Sequence, residues 1–597
     1  MAEAAATTTK PAPKPGWREV IRALGNRKTG FMALFGFASG LPFALFLGTL
    51  FAWLSEAEVD LETMGVFSLI GLAYAFQFLW SPLIDKVNIP LMRRLGRRKQ
   101  WIVPAQILLG VILVALALSN PSNESIGWFS LLAGIGALAS ATQDIAINAW
   151  RIDVADEVAT LDMLSTVYQM GYRLAALVGG ALGLIIAARI GWPQTYMLMG
   201  GILLAIGFAG LFAPDSDRGR LKAGEPVIED ELLVALRHKG ELAPAVRGRA
   251  LAIVAVLWAV AIGVVLTFMY MSLALPPEQR PNPTDFTLNY GPWIIVATIV
   301  LPALIAGWLA SQKKAGRNLL AEDAPAATGG GYVMDHFYRA LLLPLVEFVG
   351  RIGWSLVLIL AVVLTYRICD AIWGTFAYPF YLGELAYSND QVAFASKFFG
   401  VFAILLGLAL GGYMLTVFGR MLTLTLGALL AALTNLLYAD LARGGALMQA
   451  GSDAIGFTAL IDFLARIFFV DPVGLAKLTF TIMFENLAIG IAGAAYIAWL
   501  SSIVNKNFSA VQYALLSSLT LLVGTLGRGA LGEMIEGRGY FDVFVFTTYI
   551  GFIAVVLCLM EWYRQRRTGR ASGVVAPEVQ AAPPGIAPAS RSTDPAR

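Results

Sequence analysis

Apolar stretches of about 20 residues recur along nearly the whole 597-residue chain, and a helix of about that length is what crosses ~30 Å of hydrocarbon. Twelve stretches meet this test strongly, near residues 31–54, 64–84, 101–118, 127–150, 163–188, 193–213, 352–383, 391–416, 421–440, 474–500, 509–535 and 541–563. Two more lie near 250–275 and 290–310. With 58% hydrophobic and 14% charged residues, against about 25% charged in soluble domains, the expected fold class is an all-α polytopic membrane protein with about 14 transmembrane helices. Helices satisfy every backbone group within their own segment, as a lipid solvent demands. The order is six, two, six: a first half over 17–213, a linker over 214–350 that carries the inserted pair, and a second half over 351–563. Residues 1–16 and 564–597 read as disordered tails from their Ala, Pro and polar composition. The patch Ile455 to Val470, interrupted by Asp462 and Arg466, reads as a periplasmic or interfacial helix rather than a further crossing.

Lys and Arg in short loops set orientation. Arg93, Arg94, Arg97, Arg98 and Lys99 fill the loop after the second segment, while Ser55 to Thr63 holds none. Both termini are therefore expected in the cytoplasm, and an even insertion keeps the second half in the same sense. A formal net charge of +3 gives no footprint for nucleic acid. Cys369 and Cys558 both lie in apolar segments, too few for a disulfide framework or a metal cluster. No Gly-Lys-Ser/Thr phosphate loop occurs, which argues against ATP as the driving force. Nothing in the sequence supports an enzyme, and no cofactor is expected.

Charge inside the apolar segments is rare and expensive, at least ~2.5 kcal/mol per residue near a bilayer centre, so it marks a pathway or a pair. Arg173 lies near the middle of 163–188, and Asp144, Arg367, Asp370 and Glu485 lie in other segments. In SATQDIAINAWRIDV, Gln143 precedes Asp144, and Asp144, Asn148 and Arg151 share one helix face at i, i+4 and i+7. Arg173, with Tyr172 beside it, has two readings: a structural ion pair with Asp144, or an anion contact or proton relay. Arg367 and Asp370 are spaced for an intrahelical pair, on a segment whose Gly374 and Pro379 suggest a bendable, cavity-lining helix. Glu485 and Asn486 lie together in the segment 474–500; Ser509 can cap the next helix, and Gln512 adds a polar point beyond it. His238 and His336 fall in the linker, so a proton carrier within the membrane must be a carboxylate: Asp144, Asp370 or Glu485.

Six plus six segments with a long connection resemble the major facilitator superfamily. Asp85, Lys86, Gly96, Arg97 and Arg98 resemble a degraded form of its Gly-x-x-x-Asp-Arg-x-Gly-Arg-Arg loop, of which the second half keeps only Gly411, Gly412, Gly419 and Arg420. The alternative is that these loop arginines serve topology alone. Within that superfamily the chain resembles AmpG-type muropeptide permeases in GFASGLPFALFLGTLFAWL (Gly36 to Leu54), FSLIGLAYAFQFLWSPLID (Phe67 to Asp85), SATQDIAINAWRIDV (Ser140 to Val154), GYRLA (Gly171 to Ala175), FENL (Phe484 to Leu487) and NKNFSAVQYALLSSL (Asn505 to Leu519). The inserted pair and the stretch Asp453 to Val470 depart from the enterobacterial pattern, whose two extra C-terminal helices have no counterpart.

The resemblance implies a monomeric secondary transporter of the bacterial inner membrane. Such a protein imports anhydro-muropeptides on the proton gradient, in cell-wall recycling and, in some bacteria, in β-lactamase induction. It implies substrate or coupling roles for Gln143, Asp144, Asn148, Arg151, Tyr172, Arg173, Arg367, Asp370, Lys397, Glu485, Asn486 and Gln512, and gating roles for Asp85, Arg97, Arg98, Asp153, Asn505 and Lys506. The cargo bears carboxylates and sugar hydroxyls that such side chains can meet. Related branches carry siderophores or CoA thioesters. A non-transporting membrane sensor is the remaining alternative, and polar residues inside both halves count against it.

Overall fold

The computed structural model describes residues 25–319 and 330–568, apart from 58, 60–69, 91, 120, 122–125, 215–241, 276–278, 280, 282, 368–375 and 378. Among these residues the chain is helical, with no strand. The first half consists of α1 (Arg27–Glu56), a broken α2 (Ile70–Ala75, Gln77–Leu79 and Ser81–Lys86), α3 (Lys99–Ser119), α4 (Ile126–Val154), α5 (Leu161–Ile190) and α6 (Trp192–Gly210). The inserted pair is α7 (Pro244–Ala274) and α8 (Asn289–Lys314). The second half runs through α9 (Met334–Ile352), α10 (Ser355–Thr365), α11 (Asn389–Phe418), α12 (Arg420–Ala442), α15 (Leu475–Ser502) and α16 (Ser509–Thr568). Two short helices, α13 (Ala446–Ala454) and α14 (Phe457–Ile467), precede α15.

Sequence chemistry explains the ends. The side chain of Asn26 caps α1 through the Lys28 N–H, Thr160 caps α5 through the Met163 N–H, and Ser388 opens α11 with a capping box closed by Gln391. Two junctions repeat between the halves. Gly96 before α3 and Gly419 before α12 share one conformation (φ 104°, ψ 164° and φ 84°, ψ 166°). Gly191 before α6 and Gly539 inside α16 share it again (φ 86°, ψ 160° and φ 80°, ψ 167°). That region of the backbone map is essentially reserved for glycine. Four matched glycines are the local mark of a two-fold repeat that the sequence hardly displays.

One expectation needs correction. The stretch placed at 352–383 does not begin a straight crossing: α9 and α10 meet at 107° across Gly353 (φ 62°). Asp370, the partner expected for Arg367, lies outside the described residues, as do Cys369, Gly374, residues 1–16 and residues 569–597, while residues 564–568 of the expected tail continue α16. The patch at 455–470 is the 11-residue α14, about 16 Å long and too short to cross a bilayer. Helix packing is closest where glycine replaces a side chain. A Cβ at Gly36 would run into the Tyr168 carbonyl, and one at Gly40 would lie 2.5 Å from the Tyr172 carbonyl, which binds α1 to α5. Gly407 and Gly490 bring α11 and α15 together in the same way.

Candidate functional site

At the end of the bundle that holds the basic loop, the two halves are fastened together. Arg98 is buried there between two carboxylates of its own half, with Nη1 2.7 Å from Asp85 Oδ1 and Nε 2.7 Å from Asp153 Oδ2. Its Nη2 donates to Ser509 Oγ at 2.8 Å, and Ser509 donates to Asp153 Oδ1 at 3.1 Å. Ser509, expected as a helix cap, thus spends its hydroxyl on a bridge between halves. The second oxygen of Asp85 accepts the Val511 N–H at 3.1 Å, placing a carboxylate at the first turn of α16, where the helix dipole favours it. Arg97 donates to the carbonyls of Asp85 and Asn507 at 3.2 and 3.3 Å. Burial would lower the pKa of Arg98, but Asp153 and Asp85 more than offset it and raise the value, so the guanidinium stays charged.

A second tie mirrors the first. Arg420 follows Gly419 as Arg97 follows Gly96, and its Nη2 and Nε lie 2.8 and 3.0 Å from Asp162 Oδ1 in the first turn of α5. The acid missing from the second half's own loop is supplied by the other half. Nearby, Lys28 holds Asp156 at 2.7 Å. Burial acts to raise the Asp156 pKa, but hydrogen bonds from Lys28 and the Ala159 amide outweigh it and hold the carboxyl below its usual range.

The gating and substrate groups expected from the sequence are partly redistributed. Asn505 Nδ2 donates to Glu347 Oε1 at 3.0 Å and Gln512 Nε2 to Glu347 Oε2 at 2.7 Å. Arg351 pairs with Glu347 at 2.7 Å and donates to the Ile503 carbonyl at 3.0 Å. Gln512, grouped with substrate residues by its position in an apolar run, therefore anchors α9 to the start of α16. Lys506 is exposed on the short turn Lys506–Phe508.

One layer inward, Arg151 is fully buried. Its guanidinium lies over the Tyr168 ring of its own half and the Tyr513 ring of the other, 4.8 and 5.1 Å from the centroids, and Nη2 donates to Ser501 Oγ at 2.9 Å. Nε and Nη1 have no hydrogen-bond partner, so the aromatic faces carry much of the cation's stabilisation. Asp144, about 15 Å along α4 from Val154, accepts from Ser39 Oγ and, at 2.7 Å, from Tyr168 Oη. Gln143 Nε2 donates to the Ala38 carbonyl and Asn148 Nδ2 to the Asp144 carbonyl. The Ser39 and Tyr168 donors to the Asp144 carboxylate are both hydroxyls, one from α1 and one from α5. Arg173 in the first half and Arg367 in the second are both half-buried.

In the second half, Glu485 accepts from Tyr438 Oη, which is 2.7 Å from Tyr381 Oη. Glu485 lies about 25 Å along α15 from Ser502, well beyond the depth of Asp144. The neighbouring Asn486 donates to the Ile482 carbonyl at 2.8 Å, and Lys397 is exposed. Sequence reasoning missed Ser39, Asp162, Tyr438, Ser501 and Tyr513 as site members. Tyr168 alone carried a usable signal, one helical turn before Tyr172.

Two halves, latched at one end and carrying carboxylates and guanidiniums inside, form the major facilitator fold. The proton:xylose symporter XylE bound to 6-bromo-6-deoxy-D-glucose shares that fold, with a TM-score of 0.51 at 13% identity over 92% of this chain and 96% of that one. A double-tryptophan XylE variant gives 0.50 at 14% identity, over 89% and 94%. By sequence, the chain is 26% identical over 545 residues to the anhydromuropeptide permease of Escherichia coli (strain K12), covering 91% of this chain and 81% of the relative. It is 23% identical over 528 residues to putative transporter AmpG 4 of Rickettsia felis, over 88% and 94%. A family model described as acetyl-coenzyme A transporter 1 matches residues 31–126. The chain is a multi-pass membrane protein with the major facilitator fold, similar over about nine tenths of its length to permeases of the AmpG type.

Proposed function

We propose that this protein imports anhydro-muropeptides, disaccharide-peptide fragments of the cell wall, from periplasm to cytoplasm by proton symport. The observation that carries the reading is the similarity, over 91% of this chain and 81% of the relative, to a permease named for that cargo, joined to half-buried guanidiniums, Arg173 and Arg367, inside the apolar segments of the two halves. Fixed cations in a low-dielectric interior favour a carboxylate-bearing solute, and the tyrosines offer apolar faces and hydroxyls to a sugar. The protein acts as a monomer in the inner membrane and catalyses no covalent step. Basic residues put the latched end and both termini in the cytoplasm, so the latched form opens to the periplasm and awaits cargo. Asp144 and Glu485, held by hydroxyl donors, are the described candidates for proton carriers; Asp370 is the third. The role in β-lactamase induction follows from cargo delivery and is a consequence of the same import.

The decisive experiment is uptake of labelled anhydro-muropeptide into proteoliposomes with and without an imposed inward proton gradient. Gradient-stimulated accumulation supports the reading, and absence of specific uptake in both conditions refutes it. The match of residues 31–126 favours a CoA thioester as the second reading. Labelled acetyl-CoA in the same vesicles separates the two.

A further inference from the structure

We infer that the inserted pair builds a binding site for the headgroup of an anionic phospholipid, at the junction of α7, α8 and α9. Three cations converge there from three segments: Arg247 in the first turn of α7, Lys313 in the last turn of α8 and Arg339 on α9. Together with Tyr338, Leu242, Leu343 and Val346 they line one cleft. Among the described residues, Asp335 is the carboxylate paired with them: it meets Arg247 and, at 2.8 Å, Arg339, which fixes both guanidiniums in place and, among those residues, leaves three cations to one carboxylate. Lys313 is exposed at the rim, with Lys314 and Arg317 following it.

A free anion would need only the charge. The helices that carry Arg247 and Lys313 also present apolar side chains further along: Ile253, Val256 and Val260 of α7 and Leu304 and Trp308 of α8 are all exposed, each by 49% or more. Acyl chains lie along such a face, so a molecule with a phosphate above two chains fits both parts, as basic pockets at helix ends do for acidic lipids. The site touches the gate through one helix. Arg339 and Glu347 both belong to α9, and Glu347 holds Asn505 and Gln512 beside the latch, so a headgroup bound at one end of α9 steadies the latched form at the other.

The test is thermal unfolding of the full chain in detergent, titrated with phosphatidylglycerol, phosphatidylcholine or millimolar inorganic phosphate. Phosphatidylglycerol raises the unfolding temperature, and Lys313→Gln weakens its half-saturating concentration about fivefold, the effect of one basic residue near an anionic surface. Arg339→Gln weakens it further; should that variant fail to fold, the exposed Lys313 still decides. Equal stabilisation by phosphatidylcholine, an unaltered titration in Lys313→Gln, or full reproduction of the effect by inorganic phosphate overturns the assignment.

Discussion

Arg420, at the head of α12 in the second half, grips Asp162 in the first turn of α5 in the first half, with two guanidinium nitrogens 2.8 and 3.0 Å from a single carboxylate oxygen. The pair spans the seam that alternating access must open. Both side chains are partly exposed, at 29% and 20%, so the pair itself contributes about 0.5–1 kcal/mol. Arg420→Ala is expected to shift the population of the latched form several-fold toward the open one, and the charge-swapped double variant to restore much of it. Spin-label distances across α5 and α12 give the populations. Non-additivity near zero across the double-mutant cycle removes the pair from the gate.

Arg98 makes a harsher case because it is buried. Removing one partner of a buried pair costs ~3–5 kcal/mol, most of it the stranded charge. Asp85→Ala is therefore expected to destabilise the protein measurably while freeing the latch. A melting temperature equal to wild type in Asp85→Ala contradicts the network.

Proton coupling must use a carboxylate. Asp144→Asn and Glu485→Gln keep shape while removing titration, and Asp370→Asn completes the set. The amide at the coupling site is expected to lose gradient-driven accumulation yet keep counterflow, which needs no net proton movement. Normal accumulation by all three amides sinks the symport reading and calls for another driving ion.

Arg173→Leu is expected to abolish uptake in a protein that still folds and inserts, and Arg173→Lys to recover only part, since ammonium lacks the bidentate fork. The same pair of changes at Arg367 tests the opposite wall. Wild-type uptake by a stable Arg173→Leu variant removes that residue from the site.

Gly412 offers a steric test. A Cβ there would stand 2.6 Å from Thr166 Cγ2, a side chain of the other half. Gly412→Ala is expected to wedge the seam and favour the open form, and Thr166→Ser, which deletes that methyl, to relieve it. An alanine variant that stays latched, by cysteine accessibility along α5, shows that the seam yields without opening.

The architecture was legible because hydrocarbon imposes one length and one backbone solution, so the crossings stand out by composition. Asp144, Asn148 and Arg151 were legible for a related reason: helical spacing puts them on one face. Arg420 and Asp162 were not, since 258 residues separate them and no local pattern links a loop arginine to a distant helix start. Gln512 misled because a polar point in an apolar run looks the same whether it faces a cavity or an anchoring acid such as Glu347. The bend between α9 and α10 was hidden as well. Gly353 sits in an apolar run whose hydropathy does not register a change of direction.

Gly36 and Gly40 let α1 lie against α5 backbone to backbone, and Gly407 and Gly490 do the same for α11 and α15. At these crossings no side chain separates the two backbones, so each pair is expected to move as one body. Conformational information is therefore concentrated at the seam between halves. An antibody or nanobody raised against either half alone is blind to the transport state, and a reagent that reports it has to straddle both.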